Sequence, residues 1–287
     1  MVEPIGKFKA LLGEGPVYDD LTNRLYWIDI IGKKLMYLDI STGYETIIDT
    51  PDMISSLCVI DERKVIATIM HGFYIVNLEK KSFEKIAEVE TEIPTNRFND
   101  GKCDALGRYW AGTMDMNEKN PTGSFYKLDL DKKVYKMLEG LTISNGLAWS
   151  LDNKKLYLID SPVKKVYVMD FDLEKGTISD KRVAIDFMNE PGVPDGMTID
   201  EEGMLWIAHW GGNRVSRWDP EKGKKLEEII LPVTYVTSVT FGGPDLKDLY
   251  ITSASKPVKD ILKEPFAGKL FKERVNIKGT KMYRFKL

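Results

Sequence analysis

The chain has 287 residues, 43% hydrophobic and 30% charged, and its 41 basic and 44 acidic side chains leave a formal net charge of −3. This balance suits a folded globular protein, and with both signs dispersed and no basic stripe it argues against a nucleic-acid partner. No stretch approaches the roughly 18 uninterrupted apolar residues of a membrane helix, and residues 1–13 lack the apolar core of a secretory signal, so the expectation is a cytoplasmic protein without a membrane partner.

Taken in chain order, short apolar strands alternate with turn residues. Glu14-Gly15 opens a first strand, a turn follows at residues 19–23, and the aromatic-rich segment Arg24–Asp29 and residues 34–38 supply two more strands. Ser55-Ser56 opens a second group, with a further strand at residues 72–76. Asp100-Gly101 opens a third, followed by a turn at Gly107 and strands at residues 108–112 and 124–128. Asn145-Gly146 begins the fourth, with its turn at residues 152–154 and strands at 156–160 and 165–169. Asp195-Gly196 begins the fifth, with a turn at 201–203 and strands at 205–208 and 214–218. Thr237-Ser238 begins the sixth, with strands at 237–241, 249–252 and 268–271. Helix propensity is high only at residues 260–263, where Pro257 and Pro265 limit any helix to about a turn.

The leading residues of the six openings are separated by 41, 45, 45, 50 and 42 residues. A repeat of that length reads as an all-β, six-bladed β-propeller, with residues 1–287 forming a single domain because stacked blades share one core. The last blade is expected to be closed by a strand from one terminus, either residues 282–287 or residues 7–12, which removes an exposed edge. A closed propeller needs no partner subunit, so a monomer is expected.

Radial repetition brings equivalent positions to one channel. Glu14, Asn145 and Asp195 are therefore expected to face each other and to form a central metal site. A single Glu or Asp before Gly is ordinarily a turn residue. Three at equivalent positions around one axis would repel unless a cation sat between them. Oxygen-only donors favour a hard divalent cation, Ca²⁺ first and then Mg²⁺ or Mn²⁺, with Fe²⁺ or Zn²⁺ as less favoured alternatives.

Other candidate groups are weaker. Cys58 and Cys103 occupy the same repeat position one blade apart, with no metal-ligand spacing, and read as buried thiols. His209 reads as a packed, hydrogen-bonded histidine, with Trp210 beside it as a candidate aromatic wall. Gly211-Gly212 lacks the spacing and following helix of a phosphate loop, and no Gly-x-Ser-x-Gly elbow is present to suggest a serine hydrolase.

Gly13-Glu14-Gly15-Pro16, Arg97-Phe98-Asn99-Asp100-Gly101-Lys102, Gly112-Thr113-Met114, Ser144-Asn145-Gly146-Leu147-Ala148-Trp149 and Pro194-Asp195-Gly196-Met197 occur in order. Together they resemble the regucalcin/gluconolactonase (senescence marker protein) family of six-bladed propellers, over residues 12–275. The resemblance implies a sugar-acid lactonase whose divalent cation is held by Glu14, Asn145 and Asp195, with Arg97 and Asn99 contacting the sugar. An acidic substrate contact is expected shortly after Gly-Thr-Met, where this chain has Asn117.

The expected function is metal-dependent hydrolysis of a small-molecule sugar lactone. The cation would polarise the lactone carbonyl and Asp195 would act as general base, with Glu14 as the competing base. A phosphotriesterase-type hydrolase and a non-catalytic calcium-binding propeller are the alternatives.

Overall fold

A computed structural model describes residues 2–287. Six four-stranded antiparallel sheets are arranged as the repeat requires. Five of them are each built from four consecutive strands paired in chain order. Their first strands, together with that of the sixth sheet, are Gly13–Asp19, Ile54–Val59, Asn96–Cys103, Ser144–Trp149, Val193–Ile199 and Val236–Gly242. All six polar–small openings fall in these strands, and each strand packs against its neighbours around the hub.

The two-residue period of each strand feeds two interfaces at once. Tyr26 and Ile28 pack with Leu57 and Val65 of the next sheet. Their neighbours Leu25 and Trp27 point the other way, to Tyr250 and Leu270 of the sixth sheet. Successive side chains on a pleated strand face opposite sides, so an unbroken apolar run is what a blade packed on both faces needs. The same logic sends Trp110 and Ala111, or Trp206 and Ile207, into different clusters. The six apolar clusters straddle successive pairs of sheets, the sixth and first included, so the ring closes.

Buried tryptophans carry a polar tip that must be satisfied. Trp110 Nε1 donates to Asp104 (2.8 Å) and Trp206 Nε1 to Asp200 (2.9 Å), the same device in two blades. Each aspartate also accepts from a guanidinium, Arg108 at 2.6 Å and Arg217 at 2.7 Å.

The last blade closes differently from expectation. Its fourth strand is Glu3–Ile5, paired antiparallel with Leu270–Arg274 through Pro4 opposite Phe271. Neither residues 7–12 nor residues 282–287 take that place. The C-terminal segment instead crosses other blades: Gly279 bridges Asp200, Phe285 N donates to Val59 O (2.9 Å), and Lys286 N donates to Gly107 O (3.1 Å). Residues 261–263 form a turn, not a helix.

Candidate active site

Every inner strand carries a register shift at or beside its polar–small pair, between Glu14 and Val17, Ile54 and Ser56, Phe98 and Gly101, Ser144 and Leu147, Pro194 and Met197, and Val236 and Val239. A bulge inserts an unpaired residue and re-aims its side chain. Here Glu14 keeps its pairing with Ile28, and Ser55, Asp100, Asn145, Asp195 and Thr237 fall within the shifts. The small partner follows from crowding: a Cβ on Gly146 would sit 2.6 Å from Asp195 O, and one on Gly196 would sit 2.0 Å from Ser238 Oγ.

At one end of the hub lies a cavity of about 330 Å³. Glu14, Arg97, Asn99, Asn145 and Asp195 all line it, so the structure brings five of the six candidate residues together. Asn117 is exposed, its side-chain amide bonded to Asp115 (3.1 Å), and is not among the lining residues. Its neighbour Glu118, held at a left-handed φ of 58°, lines the cavity instead. That residue, exposed at the edge of the cavity, was missed because a left-handed turn leaves no mark in residue spacing. Ser161, also missed, bridges two blades: it accepts from Asn145 Nδ2 (3.1 Å) and donates to Pro194 O (2.6 Å).

The charged groups are buried and fixed. Arg97 Nη1 donates to Asn99 Oδ1 (2.7 Å) and to Phe98 O (2.8 Å), which sets the plane of the guanidinium. Asn99 Nδ2 in turn donates to Ser144 O (2.9 Å) of the next blade. Burial lowers the Arg97 pKa to about 10, so it stays cationic at neutral pH beside Glu14 and Asp195. Burial, then the Asp100 charge, pushes Glu14 up to about 8 against the pull of the Gly15 amide and Arg97. Asp195 is likewise raised, first by burial and then by Glu14. The two carboxyls line the same cavity, and each acts on the other's titration. Two like charges this close cannot both ionise cheaply, so burial and mutual repulsion both favour protonation of the pair.

This corrects the expected central metal site. Among the described residues, no group of three or more His, Cys, Asp and Glu side chains is placed to hold a metal ion. The Ca²⁺, Mg²⁺, Mn²⁺, Fe²⁺ or Zn²⁺ cofactor and the metal-polarised mechanism therefore lack the donor set they need. Of the trio Glu14, Asn145 and Asp195, two are acidic and the third is a neutral amide. The equivalent positions in two other blades are hydroxyls, Ser55 and Thr237, and Asp100 is tied to Gly101 N (2.7 Å) with Lys102 as its counter-charge. The repulsion that the sequence assigned to a bridging cation shows in the structure as raised carboxyl pKa values, opposed at Glu14 by the Arg97 charge.

His209 is packed as expected. Its ring nitrogens meet Pro191 O (2.9 Å) and Ser216 Oγ (2.6 Å), and burial lowers its pKa to about 4, leaving a neutral ring. Trp210 lines the cavity and leans on Tyr235, with ring centroids 4.8 Å apart. Cys58 and Cys103 are both free and buried; the Cys103 amide donates to Cys58 Sγ at 3.1 Å.

Residues 12–255 match the family described as SMP-30/Gluconolactonase/LRE-like region. The chain is 46% identical to an uncharacterized protein of Sulfolobus acidocaldarius, covering 96% of each chain. It is 38% identical to a putative sugar lactone lactonase of Bacillus subtilis, covering 94% of each. Among solved structures, a calcium-binding protein, regucalcin, from Agrobacterium tumefaciens superposes with a TM-score of 0.93 at 30% identity, covering 98% of this chain and 95% of that one.

Proposed function

We propose, for a chain that belongs to the SMP-30/gluconolactonase/LRE-like family, that the hub cavity opens the ring ester of a small-molecule lactone of the sugar-acid type. The observation that carries this reading is the buried Glu14–Asp195 carboxyl pair set beside the Arg97 guanidinium in a cavity of about 330 Å³. In the proposed reaction the reactive form of the pair carries one proton, on Glu14, so it offers a base and an acid at the same pH, which ester hydrolysis needs in succession.

The chemistry follows from those positions. Water adds to the lactone carbonyl while Asp195, ionised, takes its proton. Negative charge grows on the carbonyl oxygen, where Arg97, held in plane by Asn99 and Phe98 O, stabilises it. Collapse breaks the bond to the ring oxygen, and Glu14, protonated, delivers a proton to that oxygen. The product is the open hydroxy acid, and the proton on Asp195 returns to the pair or to solvent.

The test is proton release from an aldonolactone such as gluconolactone, with Asp195→Asn as the central variant. Removal of the base is expected to lower kcat by about 10²–10⁴ with binding retained. Wild-type rates in Asp195→Asn, or no turnover of any aldonolactone by the native chain, would overturn the reading.

A further inference from the structure

The cavity has a polar floor and an apolar collar, and the collar follows the repeat. Two residues before Glu14, Asn145 and Asp195 stand Leu12, Ile143 and Val193. Val193 begins its inner strand, while Leu12 and Ile143 sit in isolated bridges just before theirs, to Ala254 and Met114. All three line the cavity. The second strands of the same blades end nearby and add Ile30, Pro162 and Trp210. The polar wall, by contrast, comes chiefly from the third blade, through Arg97, Asn99 and Glu118.

The collar residues have exposed aliphatic neighbours in sequence. Leu11, Ile31 and Val163, each adjacent in sequence to a collar residue, are 40%, 37% and 39% exposed. The chain leaving the second strand of the last blade is anchored to the same place, since Ser255 N and Lys256 N both donate to Leu11 O. Exposed aliphatic side chains therefore stand next in sequence to collar residues on the first and fourth blades.

A fully hydroxylated ring suits such a site on one side only. Hydroxyls turned toward the collar lose water and gain no partner, which is costly. An aliphatic chain in the same place loses water to its advantage. We propose that the cavity also hydrolyses lactones whose ring carries an aliphatic chain, with the ester over the Glu14–Asp195 floor and the chain lying along Leu12, Ile143, Val193 and Trp210. This inference rests on the hydrolytic reading above and names a further substrate class for that site.

The experiment is a homologous series of δ-lactones with no chain, then ethyl, butyl and hexyl chains on the carbon next to the ring oxygen, beside a hydroxylated aldonolactone. The readout is kcat/KM by proton release, with calorimetric binding of the corresponding open hydroxy acids as a second measurement. For the native chain, kcat/KM is expected to rise about fourfold per added methylene until the chain passes the rim. In Val193→Thr, which keeps the β-branched shape but places a hydroxyl in the collar, the rise per methylene is expected to fall by about half or more. Turnover of the aldonolactone with a flat or falling response to chain length would overturn this inference and leave the hydrolytic reading intact. Failure to turn over any lactone, with binding that still tightens with chain length, would overturn the hydrolytic reading while supporting the collar as a chain-binding surface.

Discussion

Glu14 and Asp195 open the inner strands of the first and fifth blades, and their buried carboxyls face one hub cavity, where the charge of each opposes ionisation of the other. Because burial raises both groups, the folded chain holds a proton that the unfolded chain releases. The sign is the reverse of the usual carboxylate case. For Glu14, the unfolded value near 4.5 and the folded value of about 8 define a window in which the native state binds more protons. Stability contributed by this group is therefore whole below about pH 4.5 and is lost progressively as pH rises through about 8. Melting curves between pH 5 and 8 are expected to show a falling Tm, and Glu14→Gln, which cannot ionise, is expected to flatten that fall. An unchanged slope in the variant would separate the pair from the pH response.

Arg97→Lys keeps a positive charge but loses the planar fork that bonds Asn99 and Phe98 O. Steady-state kinetics on the aldonolactone should show kcat lowered by about 10²-fold, the scale of losing one preorganised donor to a developing oxyanion. A change confined to KM would instead assign Arg97 to ground-state binding.

Gly196→Ala forces a Cβ to within 2.0 Å of Ser238 Oγ and 2.4 Å of Ser238 Cβ. The expected cost is about 1–3 kcal/mol by urea denaturation, typical of overpacking a close-fitted interior. Pairing it with Ser238→Gly removes the obstructing side chain, so the double variant should recover more than the sum of the single effects allows. Strict additivity would show that the contact between inner strands is not what excludes a side chain there.

Phe285 is 3% exposed and packs with Phe73, Phe98 and Tyr109 at the interface of the second and third blades. Phe285→Ala is expected to cost about 3–5 kcal/mol, as for other buried Phe truncations. Differential scanning calorimetry would register the lower Tm. A loss under about 1 kcal/mol would mean the C-terminal segment detaches without disturbing the blades.

Much of this was legible from residues alone. The polar–small openings could be found because a bulge at each inner strand demands a small residue where neighbouring strands nearly touch, and Gly146 and Gly196 carry that demand openly. The runs around Trp27 and Trp206 were readable as strands because both faces are buried. The closing strand was not readable. Glu3–Ile5 is three residues long, contains Pro4, and has no alternation to distinguish it from a loop. The substitution of Glu118 for Asn117 at the cavity depends on one left-handed residue.

What the amino-acid order settled by itself was the count of blades and five of the residues that line the hub cavity, because covalent spacing and strand pleat are local properties. What only the folded molecule decided was how those residues balance their charge. How two carboxyls and an amide fare in one buried cavity depends on the depth of burial and on a guanidinium contributed by another blade, and neither is written in the distance along the chain.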